Sequence, residues 1–261
     1  MLITLTTDFG VVDHFVGTMK GVILEIAPRT RIVDITHEIA AYEVDQAAFV
    51  IAQAWRYFPQ GTVHVVVIDP GVGSERRPIL VEAGGQYFIG PDNGVFSAIY
   101  DAGPHKVRVI SNPKLMLPSV SRTFHGRDIF APAAAHLTRK VLPARFGKVI
   151  HDAIRFPLPQ PAQIAPHAWS GVILKTDRFG NLVTNFSIET FSDIKTRPME
   201  LRVGLERIQH LALNYTDTQI GELMAIVGSS GYLEVAAHLD SAAKRLGCGV
   251  GAPVELEIFF P

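Results

Sequence analysis

The sequence predicts an α/β amino-terminal domain, with a largely parallel sheet flanked by helices, and a smaller all-β, barrel-like carboxy-terminal domain. Strand-like and helix-like segments alternate through the first half of the chain, and short alternating segments separated by turns fill the second half. Four prolines interrupt the stretch between the two halves. We therefore assign residues 1–154 to the α/β domain, 155–168 to a proline-rich linker and 169–261 to the barrel-like domain.

In the first half, hydrophobic spacing separates the strands from the helices. Six segments have the apolar or alternating pattern of strands, at residues 2–8, 31–36, 63–68, 78–83, 87–90 and 106–111. Apolar side chains recur at helical spacing in residues 15–26, 44–58, 95–100 and 129–140. Since helices alternate with strands, most neighbouring strands are expected to be parallel, with helices covering both faces of the sheet.

The second half changes to a pattern typical of antiparallel strands. Seven short segments alternate apolar and polar residues between glycine, asparagine or aspartate turns: SGVILKTD, NLVTNF, MELRVGL, HLALNY, ELMAIVG, YLEVAA and VELEIFF. A single helical segment, at residues 240–246, interrupts the series. This pattern predicts a small, mainly antiparallel barrel or sandwich.

Composition and charge exclude several classes of protein. The formal net charge of −1 over 261 residues gives no reason to expect nucleic acid or an anionic membrane as a partner. The single cysteine, Cys248, excludes an intramolecular disulfide and fits a reducing compartment. Asp8 interrupts the amino terminus before a signal peptide can form, and no segment approaches the ~18 apolar residues of a membrane span. A soluble, cytoplasmic protein is expected.

Polar residues follow four of the predicted strands at their carboxyl ends, where ligands bind in parallel α/β sheets. Residues 78–83 and 87–90 are predicted to form a hairpin around Gly84-Gly85. The first strand is followed by Asp8, and the third by Asp69 and Arg76; GPDNG follows the predicted hairpin, and TFHGRD places His125 and Asp128 at the start of a helix. Carboxylates, arginines and a histidine at one sheet edge predict an enzyme site. The structural alternatives are a simple turn at DPGVG and a helix-terminus role for Asp128.

Common nucleotide and zinc motifs do not occur in the sequence. It has no phosphate-binding P-loop, no complete GxGxxG fingerprint, no HExxH and no CxxC. By ligand type alone, the residues Asp8, His14, Asp69 and His125 leave a scattered metal site open, which would suit metal-assisted hydrolysis of another nucleoside or phosphoester. A non-catalytic nucleoside sensor is the third possibility.

Eight segments together carry a resemblance to a known family: TTDFG, DHFVGTMKGVI, DITHEI, VIDPGVGSERR, GPDNG, TFHGRDIFAPAAAHL, DRFGNLVTNF and GSSGYLEVA. In this order, from about Thr6 to Ala236, they resemble the S-adenosylmethionine hydroxide adenosyltransferases, relatives of the fluorinating and chlorinating enzymes. The resemblance implies an α/β domain joined by a linker to a β-barrel. It also implies a homotrimer with active sites between subunits, and no cofactor.

The resemblance implies hydrolysis of S-adenosylmethionine to adenosine and L-methionine by attack of water or hydroxide on the ribose C5′ carbon. By motif position the catalytic set falls on Asp69, Arg76 and His125, with Arg77 left open as an alternative to Arg76. We expect Arg76 to give the water hydroxide character, Asp69 to fix the guanidinium and His125 to take up the proton. Halogenating members have a tyrosine at the position of Asp69 and a threonine at that of Val72, so water is the expected nucleophile.

The same resemblance implies a set of substrate-binding residues, namely Asp8, Tyr42, Thr123, Asp177, Asn181, Tyr215, Ser229 and Ser230. Asp8 would accept the ribose 2′,3′-diol, and Asp177 would bind the methionine ammonium. Tyr42 would line the nucleoside pocket, and Tyr215 would pack on the adenine face. Ser230 replaces an arginine that binds the methionine carboxylate in halogenating members, which leaves open how this chain binds that group.

Overall fold

The structure, a computed structural model, describes residues 1–260 and divides into two compact units, Met1–Leu158 and Pro159–Pro261. The boundary lies inside the segment predicted as a linker. Residues Ala162–Ala165 of that segment form a strand that pairs with the next strand of the second unit, so this part of the predicted linker belongs to a sheet.

The first unit contains seven strands and four α-helices. They are β1 (Leu2–Thr7), α1 (Phe15–Ile26), β2 (Arg31–Thr36), α2 (Val44–Ala54), β3 (Val63–Val67), β4 (Pro78–Ala83), β5 (Gln86–Pro91), α3 (Ser97–Asp101), β6 (His105–Val109), α4 (Ala131–Thr138) and β7 (Val149–Ile150). The sheet order is β2-β1-β3-β5-β4-β6-β7. Strands β2, β1, β3 and β5 are parallel, whereas β4, β6 and β7 pair antiparallel.

The predicted largely parallel sheet is therefore a mixed sheet. A tight turn at Gly84 and Gly85, both with positive φ, reverses the chain between β4 and β5. Two glycines with left-handed backbone favour a hairpin, and a hairpin is necessarily antiparallel. The glycine pair interrupts the strand–helix alternation that predicted parallel neighbours.

Strand β3 is buried on both faces and is apolar at every position except His64, which is buried and lies within hydrogen-bonding distance of Thr4 and Gln86. Val65 and Val67 pack with α1 and α4 in the core on one face of the sheet. Val66 and Ile68 pack with α2 and α3 in the core on the other face. Since successive strand residues point to opposite faces, a strand buried on both sides carries apolar residues on both faces. The run ends at Asp69, where the chain leaves the core.

Among the described residues, the second unit contains nine strands, one short α-helix and a 3₁₀ turn at Ser192–Lys195. The strands and the α-helix are β8 (Ala162–Ala165), β9 (Ala168–Thr176), β10 (Leu182–Ser187), β11 (Met199–Val203), β12 (Glu206–Ile208), β13 (Leu211–Ala212), β14 (Leu223–Val227), β15 (Tyr232–Ala237), α5 (Ala242–Leu246) and β16 (Pro253–Ile258). The order is β12-β11-β16-β9-β10-β15-β14-β13, with β8 paired to β9. All pairs are antiparallel except β13 with β14.

This sheet is curled around one core. Leu201 of β11 and Val235 of β15, which lie far apart in the strand order, belong to the same buried cluster with Phe186. The strand order of the described residues nevertheless ends at β12 and β13. The predicted barrel is thus a curled half-barrel without backbone closure. No described helix has the length and apolar character needed to cross a membrane.

Candidate active site

Arg76 and Asp69 form a buried ion pair at the carboxyl end of β3. Two turns bring the arginine back to the aspartate, with Val72 N donating to Asp69 O and Ser74 N donating to Gly71 O, both at 3.1 Å. Arg76 Nε donates to Asp69 Oδ1 at 2.8 Å, and Nη2 donates to Oδ2. The side chains are only 9% and 5% exposed. A bidentate pair of this kind fixes the guanidinium plane.

The third member of the predicted catalytic set lies against the same guanidinium. Arg76 Nη2 also lies 2.8 Å from His125 Nδ1, and the guanidinium packs over the ring of Phe130, 5.2 Å from its centroid. Arg76 Nη1 is buried and has no hydrogen-bond partner among the described residues. The arginine thus holds an aspartate and a histidine and keeps one donor nitrogen unused.

The contact with Arg76 also determines the hydrogen positions on His125. Arginine can only donate, so His125 Nδ1 accepts, and the neutral ring carries its hydrogen on Nε2. Burial, followed by the charge of Arg76, lowers the pKa of His125, and Asp69, Asp128 and a hydrogen bond to the backbone of Ser121 oppose the shift. The lowered pKa favours the uncharged ring at neutral pH.

Asp128 holds the loop that carries His125. It follows His125 in a π-helical turn, Gly126–Phe130, and is fully buried. Its carboxylate accepts from Ser121 N at 2.8 Å and from Arg127 Nε at 2.6 Å. These bonds lower the pKa of Asp128, although burial alone would raise it. Asp128 thus has a structural role in the loop.

The two catalytic loops touch through their backbones. Gly73 has φ +78°, and a Cβ at this position would lie 2.2 Å from the carbonyl oxygen of Arg122. Only glycine permits both the left-handed backbone and this close approach. The loop that carries Asp69 and Arg76 is therefore packed directly on the loop that carries His125.

Asp8, at the end of β1, is held by two neighbouring segments. Asp8 Oδ2 accepts from the backbone N–H of Tyr42 at 3.0 Å, and Tyr42 has a left-handed backbone with φ +71°. The preceding residue, Thr7, lies 2.9 Å through Oγ1 from His37 Nδ1 and accepts from Phe9 N at 3.2 Å. Asp8 also lines the cavity described below, so its carboxylate can accept from a ligand hydroxyl.

The buried imidazole of His37 links this loop to β2 and α1. His37 Nε2 lies 3.1 Å from Asp34 Oδ1, and Asp34 Oδ2 lies 2.6 Å from Lys20 Nζ. His37 O accepts from Gly10 N at 2.8 Å. A polar chain therefore runs from Lys20 to Thr7 and supports the Asp8 loop from behind.

A cavity of about 360 Å³ brings the predicted residues of the first unit together. Its lining includes five of the six predicted residues of this unit, Asp8, Tyr42, Asp69, Thr123 and His125. The sixth, Arg76, lies behind Asp69 and His125. A larger cavity of about 700 Å³, around Ala27–Thr30 at the opposite edge of the sheet, contains none of them.

Arg77 lies outside this arrangement. Its Nε donates to Asp92 Oδ2 at 2.9 Å, and its Nη1 donates to Asp152 Oδ1 at 2.8 Å. Asp92 also accepts from Ile154 N at 2.8 Å. Arg77 therefore ties the end of the first unit to its sheet, and the geometry favours Arg76 for the catalytic set.

The remaining predicted residues lie in the second unit. Asp177 and Asn181 form one loop, in which Asp177 Oδ1 accepts from Asn181 N at 2.8 Å and Oδ2 accepts from Asn181 Nδ2 at 2.9 Å. The Tyr215 hydroxyl is within hydrogen-bonding reach of Glu234. Ser229 is exposed, whereas the hydroxyl of Ser230 is buried.

The proposed alternative metal site is not assembled. Among residues 1–260, no group of three or more histidine, cysteine, aspartate or glutamate side chains is placed to hold a metal ion. His14 instead lies 3.2 Å through Nδ1 from Thr18 Oγ1 of α1.

Sequence reasoning missed three features of the two units. Phe9, Phe15 and Phe124 form an aromatic cluster with edge-to-face contacts at 5.2–5.8 Å between centroids, and all three line the cavity. His37 and Glu234 are buried ionisable residues that no spacing marked as functional. The signal for Glu234 was a charge within the apolar segment YLEVAA, which resembles an ordinary outward-facing strand position.

Comparison with known proteins identifies the family. The model of the SAM hydroxide adenosyltransferase N-terminal domain matches residues 3–147, and that of the C-terminal domain matches residues 171–255. The chain belongs to the SAM hydroxide adenosyltransferase family. Its domain models cover both units and include every residue of the predicted site.

Individual members of the SAM hydroxide adenosyltransferase family and its relatives match over nearly the whole chain. A protein of Salinispora tropica named (R)-S-adenosyl-L-methionine hydrolase is 37% identical, covering 95% of each chain. A fluorinase of Actinoplanes sp. is 28% identical, covering 97% of this chain and 96% of its own. The crystal structure of an uncharacterized conserved protein from Thermotoga maritima superposes with a TM-score of 0.91 at 35% identity, covering 98% and 99%.

Proposed function

We propose that this protein hydrolyses S-adenosyl-L-methionine to adenosine and L-methionine by attack of water or hydroxide on the ribose C5′ carbon. One observation carries the proposal: Asp69, Arg76 and His125 are in hydrogen-bond contact at the wall of a cavity that also contains Asp8. The names of the relatives that match over nearly the whole chain support the same activity.

The reaction needs a positioned nucleophile more than an acid. The sulfonium is already an activated leaving group, because it departs as a neutral thioether. The oxygen–C5′ bond forms as the C5′–sulfur bond breaks, and the bonding pair goes to sulfur. One water proton is released per turnover. Holding the oxygen in line with the breaking bond is therefore the main task of the site.

We propose that His125 and Arg76 act on this oxygen in different ways. His125 lines the cavity and can offer a hydrogen bond, whereas the guanidinium of Arg76 lies behind Asp69 and His125 and acts through its positive charge. A donor and a nearby positive charge both favour hydroxide over water. His125, expected from the sequence to take up the proton, is proposed here to donate from Nε2, because Nδ1 faces the donor Nη2 of Arg76. Asp69 keeps the guanidinium in place.

The nucleoside end of the substrate fits the other half of the cavity. Asp8 has two carboxylate oxygens for the ribose 2′,3′-diol, and the bond from Tyr42 N fixes their orientation. Thr123 offers a hydroxyl beside His125. Val72 and Gly126, which also line the cavity, provide no hydroxyl that could hold a halide, and this supports water as the nucleophile.

The amino-acid and adenine ends are assigned to the second unit. Asp177 would bind the methionine ammonium, Tyr215 would pack on adenine, and Asn181 and Ser229 would add hydrogen bonds. Since each unit carries part of the predicted set, we also propose a homotrimer in which each site is shared between neighbouring subunits. Light scattering of the purified protein tests this: a mass of three chains is expected, and a monomer would contradict it.

The relatives named (R)-S-adenosyl-L-methionine hydrolase suggest which sulfonium epimer is the substrate. We extend this preference for the R epimer to the present chain. The reaction is proposed to need no cofactor, and the single cysteine is consistent with a cytoplasmic location.

The deciding experiment is incubation with each epimer of S-adenosylmethionine, with and without a chelator, followed by liquid chromatography and proton titration. Adenosine and methionine in equal amounts, one proton per turnover and no effect of the chelator are expected. Loss of activity with the chelator would favour a metal-dependent hydrolase. Thermal stabilisation by the ligand without turnover would favour a sensor.

A further inference from the structure

The GPDNG segment, Gly90 to Gly94, lies beside the end of β3 but outside the cavity of the candidate site. It continues from β5, the parallel neighbour of β3. A Cβ at Gly90 would come 2.4 Å from the carbonyl oxygen of Val66, so the two backbones are in close contact. None of the five residues lines the cavity that contains Asp69 and His125. Any effect of this segment on the reaction must therefore pass through a neighbouring loop.

Asn93 holds the backbone at the point where β3 ends. The pairing of β1 with β3 stops at Val67, and Ile68 is fully buried one residue later. Asn93 Nδ2 donates to the carbonyl oxygen of Ile68 at 2.8 Å, and Asn93 Oδ1 accepts from Val95 N at 3.3 Å. A carbonyl can only accept and a backbone N–H can only donate, so these partners fix the orientation of the amide. The side chain thus binds the main chain just beyond the strand.

The bond to Ile68 matters because the next residue belongs to the proposed catalytic set. The carbonyl of Ile68 lies in the peptide plane that leads into Asp69, and Pro70 restricts Asp69 to extended backbone conformations. The carboxylate of Asp69 in turn sets the plane of the Arg76 guanidinium, which contacts His125. The orientation of the ion pair therefore depends on an amide that lies outside the cavity.

The other end of the same loop is held by the residue before Asn93. Asp92 N donates to the carbonyl oxygen of Arg77 at 2.9 Å, one residue after Arg76. This bond joins two backbones and does not depend on the side chain of Arg77. Adjacent residues of one segment thus bind the chain immediately before Asp69 and immediately after Arg76.

We propose that Asn93 is a positioning residue for the hydrolysis, which acts through the ion pair of Asp69 and Arg76. This inference rests on the proposed function and adds to it a residue that does not touch the substrate. A misplaced nucleophile reacts more slowly even when the substrate is fully bound. The carboxylate of Asp8, assigned to the ribose, follows a different strand, β1. Loss of the Asn93 bond should therefore lower kcat and leave KM nearly unchanged.

The test measures kcat and KM for S-adenosyl-L-methionine in Asn93→Ala. The kcat should fall about tenfold, as expected for one lost hydrogen bond that acts on the transition state, with little change in KM. Asn93→Asp is the second variant, because it keeps the acceptor for Val95 N but its carboxylate cannot donate to Ile68 O. It should lose at least as much kcat, and it decides the test if the alanine variant does not fold. An unchanged kcat with a raised KM would overturn the proposal.

Asn112→Ala is the matched control, because Asn112 is a half-buried asparagine that makes the same two kinds of bond elsewhere in the first unit. Its Nδ2 donates to Arg145 O at 2.8 Å, and its Oδ1 accepts from Lys114 N at 3.0 Å. Both alanine variants should lower Tm by about 2–4 °C, but only Asn93→Ala should lower kcat. The same kcat in both variants would mean that Asn93 only stabilises the fold, and the proposal would be wrong.

A double-mutant cycle tests whether Asn93 acts through the ion pair. Arg76→Met already removes the guanidinium that Asp69 orients, so adding Asn93→Ala should lower kcat little further. A second loss of about tenfold would show that the two residues act independently, and would refute the proposed coupling. Absence of turnover in the wild type would instead refute the proposed function.

Discussion

Asp69 and Glu234 are both buried carboxylates, but they differ in how their charge is balanced. Asp69 forms a bidentate pair with Arg76, and both side chains are almost fully covered. Glu234 is similarly buried and forms no ion pair among the described residues. A buried ion pair fixes the geometry of both partners, whereas burial of a carboxylate without a cationic partner disfavours its charged form. The first unit thus holds a carboxylate in a fixed ion pair, and the second holds one whose described hydrogen-bond partners are hydroxyls.

The largest effect is expected when the cationic partner of Asp69, the guanidinium of Arg76, is removed. Arg76→Met should lower kcat about 10³-fold, because it removes the positive charge next to the nucleophile and leaves Asp69 unpaired. Arg77→Met is the matched control, since Arg77 bonds to Asp92 and Asp152 away from the cavity. Adenosine release measures kcat, and a thermal melt checks folding. An equal loss of kcat in both variants would contradict the assignment of Arg76.

The role of His125 is tested by pH and by an amide replacement. Burial and Arg76 lower its pKa below 6.5, and the protonated ring cannot accept from Arg76. The kcat/KM should therefore be constant near pH 7 and fall as the pH drops through this lowered pKa. His125→Ala should lower kcat about 10²-fold. His125→Asn, which retains an acceptor and a donor, should keep more activity; equal losses would favour a proton-accepting histidine.

The support of Asp8 is tested at Thr7, which is fully buried beside His37. Thr7→Val keeps the shape and removes the hydroxyl, so the Asp8 loop loses its link to His37. KM should rise about fivefold, as expected for one hydrogen bond of about 1 kcal/mol, with kcat nearly unchanged. Thr7→Ser retains the hydroxyl and should match wild type. A fall in kcat alone would place Thr7 in the chemical step instead.

The smallest expected effect is on thermal stability, and it distinguishes the buried carboxylates of Asp69 and Glu234. The pKa of Glu234 is raised above 4.5 in the folded chain, so folding favours its protonated form. Stability is therefore lost as the pH rises from 4.5 through this raised pKa. Glu234→Gln should therefore raise Tm at pH 7 by about 2–4 °C, and the difference from wild type should vanish below pH 4.5. Asp69→Asn should lower Tm, because it removes the charge that pairs with Arg76. A rise in Tm would mean that the two carboxylates do not differ in their effect on stability.

Much of the first unit follows from hydrophobic spacing alone. The mostly apolar β3 and the helical spacing of α1 predict elements that the structure contains. The glycine pair predicts the hairpin of β4 and β5, which the structure confirms. The antiparallel pairing of β6 with β4 and β7 did not follow, because the apolar pattern of a strand does not identify its neighbours. The open edge of the second sheet did not follow either, because closure depends on pairing between β12 and β13, which lie far apart in the strand order.

The site residues that could be predicted from the sequence are those at strand ends and those within the segments that resemble the family. The contact between Arg76 and His125 joins residues 49 positions apart, and only the fold shows which ring nitrogen faces the guanidinium. The choice between Arg76 and Arg77 also needed the fold, because adjacent arginines have the same chemistry in sequence. Glu234 was missed because a charge in an alternating strand normally faces solvent.

The close approach of Gly73 to Arg122 has a consequence for enzyme engineering. The loop that contains Gly73 packs against the backbone of Arg122. If only one of these two loops were replaced by that of a halogenating relative, it would pack against a loop with which it is not complementary. Exchange of either loop alone should disturb both, whereas the two moved as a single cassette keep their shared surface. The loop that contains Gly73 and the loop that contains Arg122 should therefore be exchanged together in any attempt to change the nucleophile.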